Sequence, residues 1–128
     1  MNETNSHTTS PLCTECPRRC EADRSSDGRG VCGMPWDFTV SRIALHPWEE
    51  PPISGTRGSG TVFFAGCNLR CVFCQNRTIS REGVGTVISE DDLITRMLAL
   101  QDEGAHNINL VTPSHYSLII AEALSGIK

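Results

Sequence analysis

The sequence has little of what would mark a nucleic-acid binder, a membrane protein or a secreted one. Basic residues do not exceed acidic ones: 11 Lys plus Arg stand against 15 Asp plus Glu, for a formal net charge of -4. A nucleic-acid partner calls for a basic patch or stripe, so none is expected. No apolar run approaches the length of a membrane span, and no membrane partner is expected either. Met1 to Ser10 is polar and lacks the apolar core of a secretory signal, which leaves the cytoplasm as the default compartment. At 128 residues there is room for one modest domain.

Cysteine is abundant instead. Seven cysteines fall into two groups, Cys13, Cys16, Cys20 and Cys32, then Cys67, Cys71 and Cys74. In a reducing compartment such a pattern reads as metal-binding or catalytic rather than as a disulfide framework. An odd number also excludes pairing of all of them within one chain.

Residues 1 to about 12 hold almost nothing to bury and are expected to be disordered. Residues 13–33 are polar, lack periodicity and need a staple to be ordered. Thr39 to Leu45 reads as a short strand, and His46 to Gly60, broken by Pro47, Pro51 and Pro52, as an irregular connection. Thr61 to Ala65 is an apolar, β-branched and aromatic run, the signature of a buried strand. Ser89 suits an N-cap, with Asp92 completing a capping-box variant. Leu93, Ile94, Met97, Leu98 and Leu100 follow at helical spacing, with Leu93, Met97 and Leu100 as the core stripe, and Gly104 suits the C′ position. Asn107 to Val111 is a second strand and Ser114 to Leu124 a second helix. The order strand, loop, helix, strand, helix predicts a parallel α/β sheet.

Cys67-x3-Cys71-x2-Cys74 follows directly on the first of these two strands. Three thiolates suit three corners of an iron–sulfur cubane and leave the fourth iron open. Active groups of α/β proteins sit at the C-terminal ends of strands, where this loop is placed. A zinc site completed from elsewhere in the chain, or three inert thiols, are the plainer alternatives. Cys13-x2-Cys16-x3-Cys20-x11-Cys32 supplies four soft ligands, enough for a closed zinc site or for a second iron–sulfur cluster; spacing does not separate the two. Arg18, Arg19, Arg24 and Arg29 either offset thiolate charge there or are solvated surface arginines.

The run Gly66-Cys-Asn-Leu-Arg-Cys-Val-Phe-Cys-Gln-Asn76 resembles the signature of the radical S-adenosylmethionine (SAM) superfamily. Glu49 to Gly55, Gly58 to Phe64, His106 to Tyr116, Cys16-Pro-Arg-Arg-Cys20 and Gly30-Val-Cys-Gly33 resemble a poorly characterised branch related to pyruvate formate-lyase activating enzymes. The resemblance covers nearly all of residues 13–124. It implies a 4Fe–4S cluster on Cys67, Cys71 and Cys74, with SAM chelating the open iron. An electron from a donor such as flavodoxin or ferredoxin would cleave the sulfonium and give a 5′-deoxyadenosyl radical, which takes a hydrogen atom from the substrate. The resemblance puts Phe73 near the adenine and has Asn76 help close the loop. The Gly-Gly-Glu motif that such enzymes use for the SAM amino group is replaced by Thr112-Pro-Ser-His115, so the hydroxyl of Thr112 or Ser114 is expected to take that place.

The family fold implies an incomplete TIM-like (βα) barrel: its first two βα units over residues 58–128, preceded by a cysteine-rich irregular segment over 1–57, with the chain expected to be an N-terminal fragment or a truncated gene product. The leading expectation is hydrogen abstraction from a protein partner. Radical modification of a small molecule, or a non-enzymatic zinc or iron–sulfur module, are the alternatives. His46, Trp48, Glu49 and Glu50 fit a packed turn, and His115, near the end of the second strand, an ordinary hydrogen-bonding role.

Overall fold

β1 (Phe38–His46) enters the core with Phe38, Thr39 and Val40 all buried. The computed structural model describes residues 12–25 and 29–127; the disorder expected of residues 1–12 falls, but for Leu12, outside them. A short helix, α1 (Pro51–Ser54), opens on two prolines whose fixed φ and missing N–H suit a first helical turn. It returns the chain into β2 (Ser59–Phe64), which is buried along nearly its whole length because it has a strand on either side. After the cysteine loop come α2 (Arg77–Ser80), β3 (Thr86–Ile88), α3 (Glu90–Asp102), β4 (Ile108–Val111), a 3-10 turn over Ser114–Tyr116 and α4 (Ser117–Ser125).

The expected start of a TIM-like barrel is overturned. A barrel of that kind needs parallel strands following one another around a closed sheet. Here the order is β3-β1-β2-β4 in an open, mixed sheet. β1 runs antiparallel to both β2 and β3, and only β2 and β4 are parallel. Strand neighbours are set by which apolar faces share a core, not by the alternation of elements along the chain. β1 buries Phe38 and Val40 against the same cluster as Val62 and Phe64 of β2, so it belongs in the sheet. β3, with two of three residues exposed, carries too weak an apolar signal to be read in advance.

Local expectations for α3 are met. The Ser89 hydroxyl accepts the Asp92 N–H at 3.1 Å, and Glu90, Asp91 and Asp92 set negative charge at the positive end of the helix dipole. Leu93, Met97 and Leu100 are buried, while Leu98 faces solvent. Gly104 ends the helix at φ +93°. Between α3, α4 and the sheet lies an aromatic knot. Tyr116 meets Phe38 edge-on at 5.3 Å and Phe64 at 5.6 Å, and its hydroxyl donates to the Asp37 carbonyl at 3.0 Å. Burying each such side chain contributes roughly 2 kcal/mol.

Candidate metal centre

Because β2 and β4 are parallel, with Phe63 opposite Val111, their C-terminal ends lie side by side. The cysteine loop leaves one and the Thr112–Ser114 segment leaves the other. His115 ties the two exits: its Nε2 lies 2.8 Å from the Ala65 carbonyl. Gly66 then turns the chain at φ +77°, and a Cβ there would overlap the Met34 side chain and the Cys32 carbonyl. The first cysteine group is thus packed against the base of the second.

Cys67, Cys71 and Cys74 are half-buried free thiols on this one loop. The Leu69 N–H donates to Cys67 Sγ at 3.4 Å. Cys74 shares a hydrogen bond with the Ser80 hydroxyl at 3.4 Å, and this, with the Asn76 N–H, holds its thiol below the ordinary cysteine range. An N–H from two residues further on also reaches sulfur at Cys20, from Ala22, and at Cys32, from Met34. Such donors favour the charged form, the one that binds metal.

Arginines fix the loop backbone. Arg81 donates to the carbonyls of Arg70 and Cys71 at 2.9 and 3.0 Å. Arg18 donates to those of Asn68 and Leu69 at 2.8 and 3.3 Å, and Arg70 to that of Val31 at 2.6 Å. Val72 and Phe73 stand out at the loop tip, 90% and 86% exposed, so Phe73 is open to a ligand but packed on nothing. Asn76 leads into α2, its carbonyl accepting from Ile79 and Ser80. Thr112 and Ser114 are half-buried on the neighbouring exit.

The first group folds as two linked turns. Cys13 N–H donates to the Ala22 carbonyl and Glu21 N–H to that of Cys13, both at 2.9 Å, and Arg19 N–H closes a turn on Cys16 at 3.0 Å. A second turn joins Gly33 N–H to the Gly30 carbonyl at 2.9 Å. Cys13 and Cys32 are buried, Cys16 is half-buried and Cys20 exposed. Burial pushes the Cys32 thiol up, against the pull of the Arg24 guanidinium. Arg24 is itself 1% exposed, lying 4.4 Å from the Trp36 ring centroid and 5.1 Å from that of Tyr116.

Of the other sequence candidates, only His115 lies at the site. His115 is buried, and desolvation pushes its pKa down to about 4, so it is a neutral hydrogen-bonding residue at pH 7. His106 pairs with Arg57 at the N-terminal end of β4, away from the cysteine loop. His46 and Glu49, 3.8 Å apart, share that end, and Trp48 is 85% exposed rather than packed. Sequence reasoning missed the loop-fixing roles of Arg18, Arg70 and Arg81. Their placement within or just after the cysteine spacings was the only signal, and it does not distinguish them from solvated arginines.

Among the described residues no three His, Cys, Asp or Glu side chains converge as a metal-binding group. The fit to a cluster therefore rests on donor chemistry. Three soft thiols share one loop, two of them with N–H donors at sulfur, and the buried Asn68 Oδ1 beside them has no partner among the described residues. These features suit a thiolate-bound cluster with an open ligand position. Among the described residues no helix is long and apolar enough to cross a membrane.

No protein-family model matches the chain, and no solved structure matches it. It is 30% identical over 121 residues to an uncharacterized protein of Methanocaldococcus jannaschii, across 88% of this chain and 34% of that one. The chain thus spans about a third of the length of the curated relative it matches.

Proposed function

We propose that this chain carries the cluster- and SAM-binding part of a radical SAM enzyme, acting in the cytoplasm, with a protein as the substrate and flavodoxin or ferredoxin as electron donor. The observation that carries the reading is the loop of Cys67, Cys71 and Cys74 at the C-terminal end of β2, alongside the Thr112–Ser114 exit of the parallel β4. Three thiolates would hold a 4Fe–4S cluster and leave one iron for SAM. The cluster, when bound, supplies the electron that cleaves SAM to a hydrogen-abstracting 5′-deoxyadenosyl radical.

The chain's own residues bind and orient. The N–H groups of Leu69 and Asn76 donate to the Cys67 and Cys74 sulfurs, and at Cys74 this favours the thiolate. Arg81 holds the loop by the carbonyls of Arg70 and Cys71. Phe73 offers an exposed ring for the adenine. The Thr112 and Ser114 hydroxyls, on the neighbouring exit, are assigned to the methionine end of SAM, and the unpartnered Asn68 Oδ1 is a further acceptor at the loop.

Iron and acid-labile sulfide after anaerobic reconstitution test the cluster. The native chain is expected to take up about four of each at this loop, and the Cys67→Ala, Cys71→Ala, Cys74→Ala triple variant to lose them. Iron content unchanged in the triple variant contradicts the reading.

A further inference from the structure

Arg24 is one of the most deeply buried side chains, yet among the described residues no carboxylate is paired with it. Its guanidinium donates to the carbonyls of Met34 at 2.9 Å, His115 at 2.7 Å and Pro35 at 2.9 Å, and to Cys13 Sγ at 3.5 Å. Carbonyl dipoles satisfy its N–H groups but leave a full positive charge in a low-dielectric interior, which is costly unless an anion stands close. Among the described residues, the groups shown beside it that can become anions are thiols. Cys13 touches it, and Cys20 and Cys32 lie near enough to feel its charge.

The backbone is arranged for the same purpose. The N–H groups of Ala22 and Val31 converge on the Cys20 sulfur, and that of Met34 reaches Cys32. Gly30 clears the space that Cys20 Sγ occupies, because a Cβ there would overlap it. Two hydrogen-bonded turns, Cys16–Arg19 and Gly30–Gly33, carry Cys16 and Cys32, Cys20 follows directly on the first, and Cys13 enters from the pairing of Leu12 with Asp23.

We propose that Cys13, Cys16, Cys20 and Cys32 bind one zinc ion as a four-thiolate site, with Arg24 as its buried counter-charge, and that this knot braces the Cys67–Cys74 loop. The four sulfurs do not already converge as a metal-binding group among the described residues, so the ion would have to draw them together, and four thiol protons pass to solvent as it binds. Four thiolates on a divalent ion leave two negative charges, one of which Arg24 offsets. Zinc suits the segment because a closed tetrahedral site needs no redox role and supplies the ordering that so polar a stretch lacks. The brace consists of Arg18, between Cys16 and Cys20, on the carbonyls of Asn68 and Leu69, and Arg70, between Cys67 and Cys71, on that of Val31. Arg18 and Arg70 are positioning residues for the loop.

The zinc site is independent of the radical SAM reading and is tested without it. Full-length Cys67→Ala, Cys71→Ala, Cys74→Ala protein leaves only the first group to bind metal. It is expected to hold about one zinc per chain, and with cobalt(II) to show the thiolate charge-transfer and tetrahedral ligand-field bands of a four-sulfur site. Both should vanish when Cys13→Ser and Cys32→Ser are added. Far less zinc together with no such cobalt spectrum, or uptake of iron with sulfide in place of zinc, overturns the proposal. The brace is read by amide hydrogen exchange in an Arg18→Ala, Arg70→Ala variant of the native chain. This variant should keep its zinc, while residues 67–76 exchange about tenfold faster and α3 is unchanged. Exchange unchanged over residues 67–76 removes the brace.

Discussion

Replacing Gly66 with alanine tests whether the two cysteine groups are packed against each other as described. Gly66 sits at φ +77°, and left-handed placement of a residue bearing a Cβ costs about 1–2 kcal/mol. The added methyl would also overlap the Met34 side chain and the Cys32 carbonyl. The carbonyl belongs to a hydrogen-bonded turn that cannot simply swing away, and forced overpacking of this kind costs a further 1–3 kcal/mol, roughly. The expected total is about 2–5 kcal/mol. Gly104 provides the control. It has φ +93°, but the nearest atom to its new Cβ would be Arg57 Cδ at 3.2 Å, on a flexible exposed side chain. Gly104→Ala should therefore cost only the conformational part, about 1–2 kcal/mol. Urea unfolding followed by circular dichroism would resolve the two, the Gly66→Ala midpoint lying roughly 1 M below that of Gly104→Ala. Equal midpoints would show that the 32–34 segment does not press on the strand exit, and would refute the reasoning.

His115 gives a pH signature. Its pKa falls from 6.5 in the unfolded chain to about 4 in the folded one, so between these values the unfolded state binds more protons. Stability is full above pH 6.5 and should fall by about 3 kcal/mol as pH drops to 4. His115→Gln should flatten that part of the profile in urea titrations, and identical slopes for the two proteins would count against the assignment. Ser89→Ala removes the side-chain acceptor for the Asp92 N–H and should cost about 1 kcal/mol, read from the thermal midpoint; no change would mean the cap is not formed in solution.

α3 was legible in detail because its signals are local. A cap at Ser89, a stripe at Leu93, Met97 and Leu100, and Gly104 at the end each act within a turn or two of chain. β1, β2 and β4 were legible as segments for the same reason. Their arrangement was not, since antiparallel pairing of β1 with β2 depends on long-range packing around Phe38, Phe64 and Tyr116. At the site, the cysteine spacings identified the thiols. What holds them is spread over distant positions. Arg24 reaches the His115 carbonyl, and Arg18 reaches those of Asn68 and Leu69, contacts that no local pattern encodes.

The central claim is that Cys67, Cys71 and Cys74 leave one iron of a 4Fe–4S cluster free for SAM. Electron paramagnetic resonance of the reduced, reconstituted chain tests it most directly, recorded with and without saturating SAM. The account predicts that SAM shifts the g-values of the cluster signal, because a ligand enters the coordination sphere of the open iron. It predicts no such signal in the triple cysteine variant. A cluster spectrum identical with and without SAM would contradict the claim.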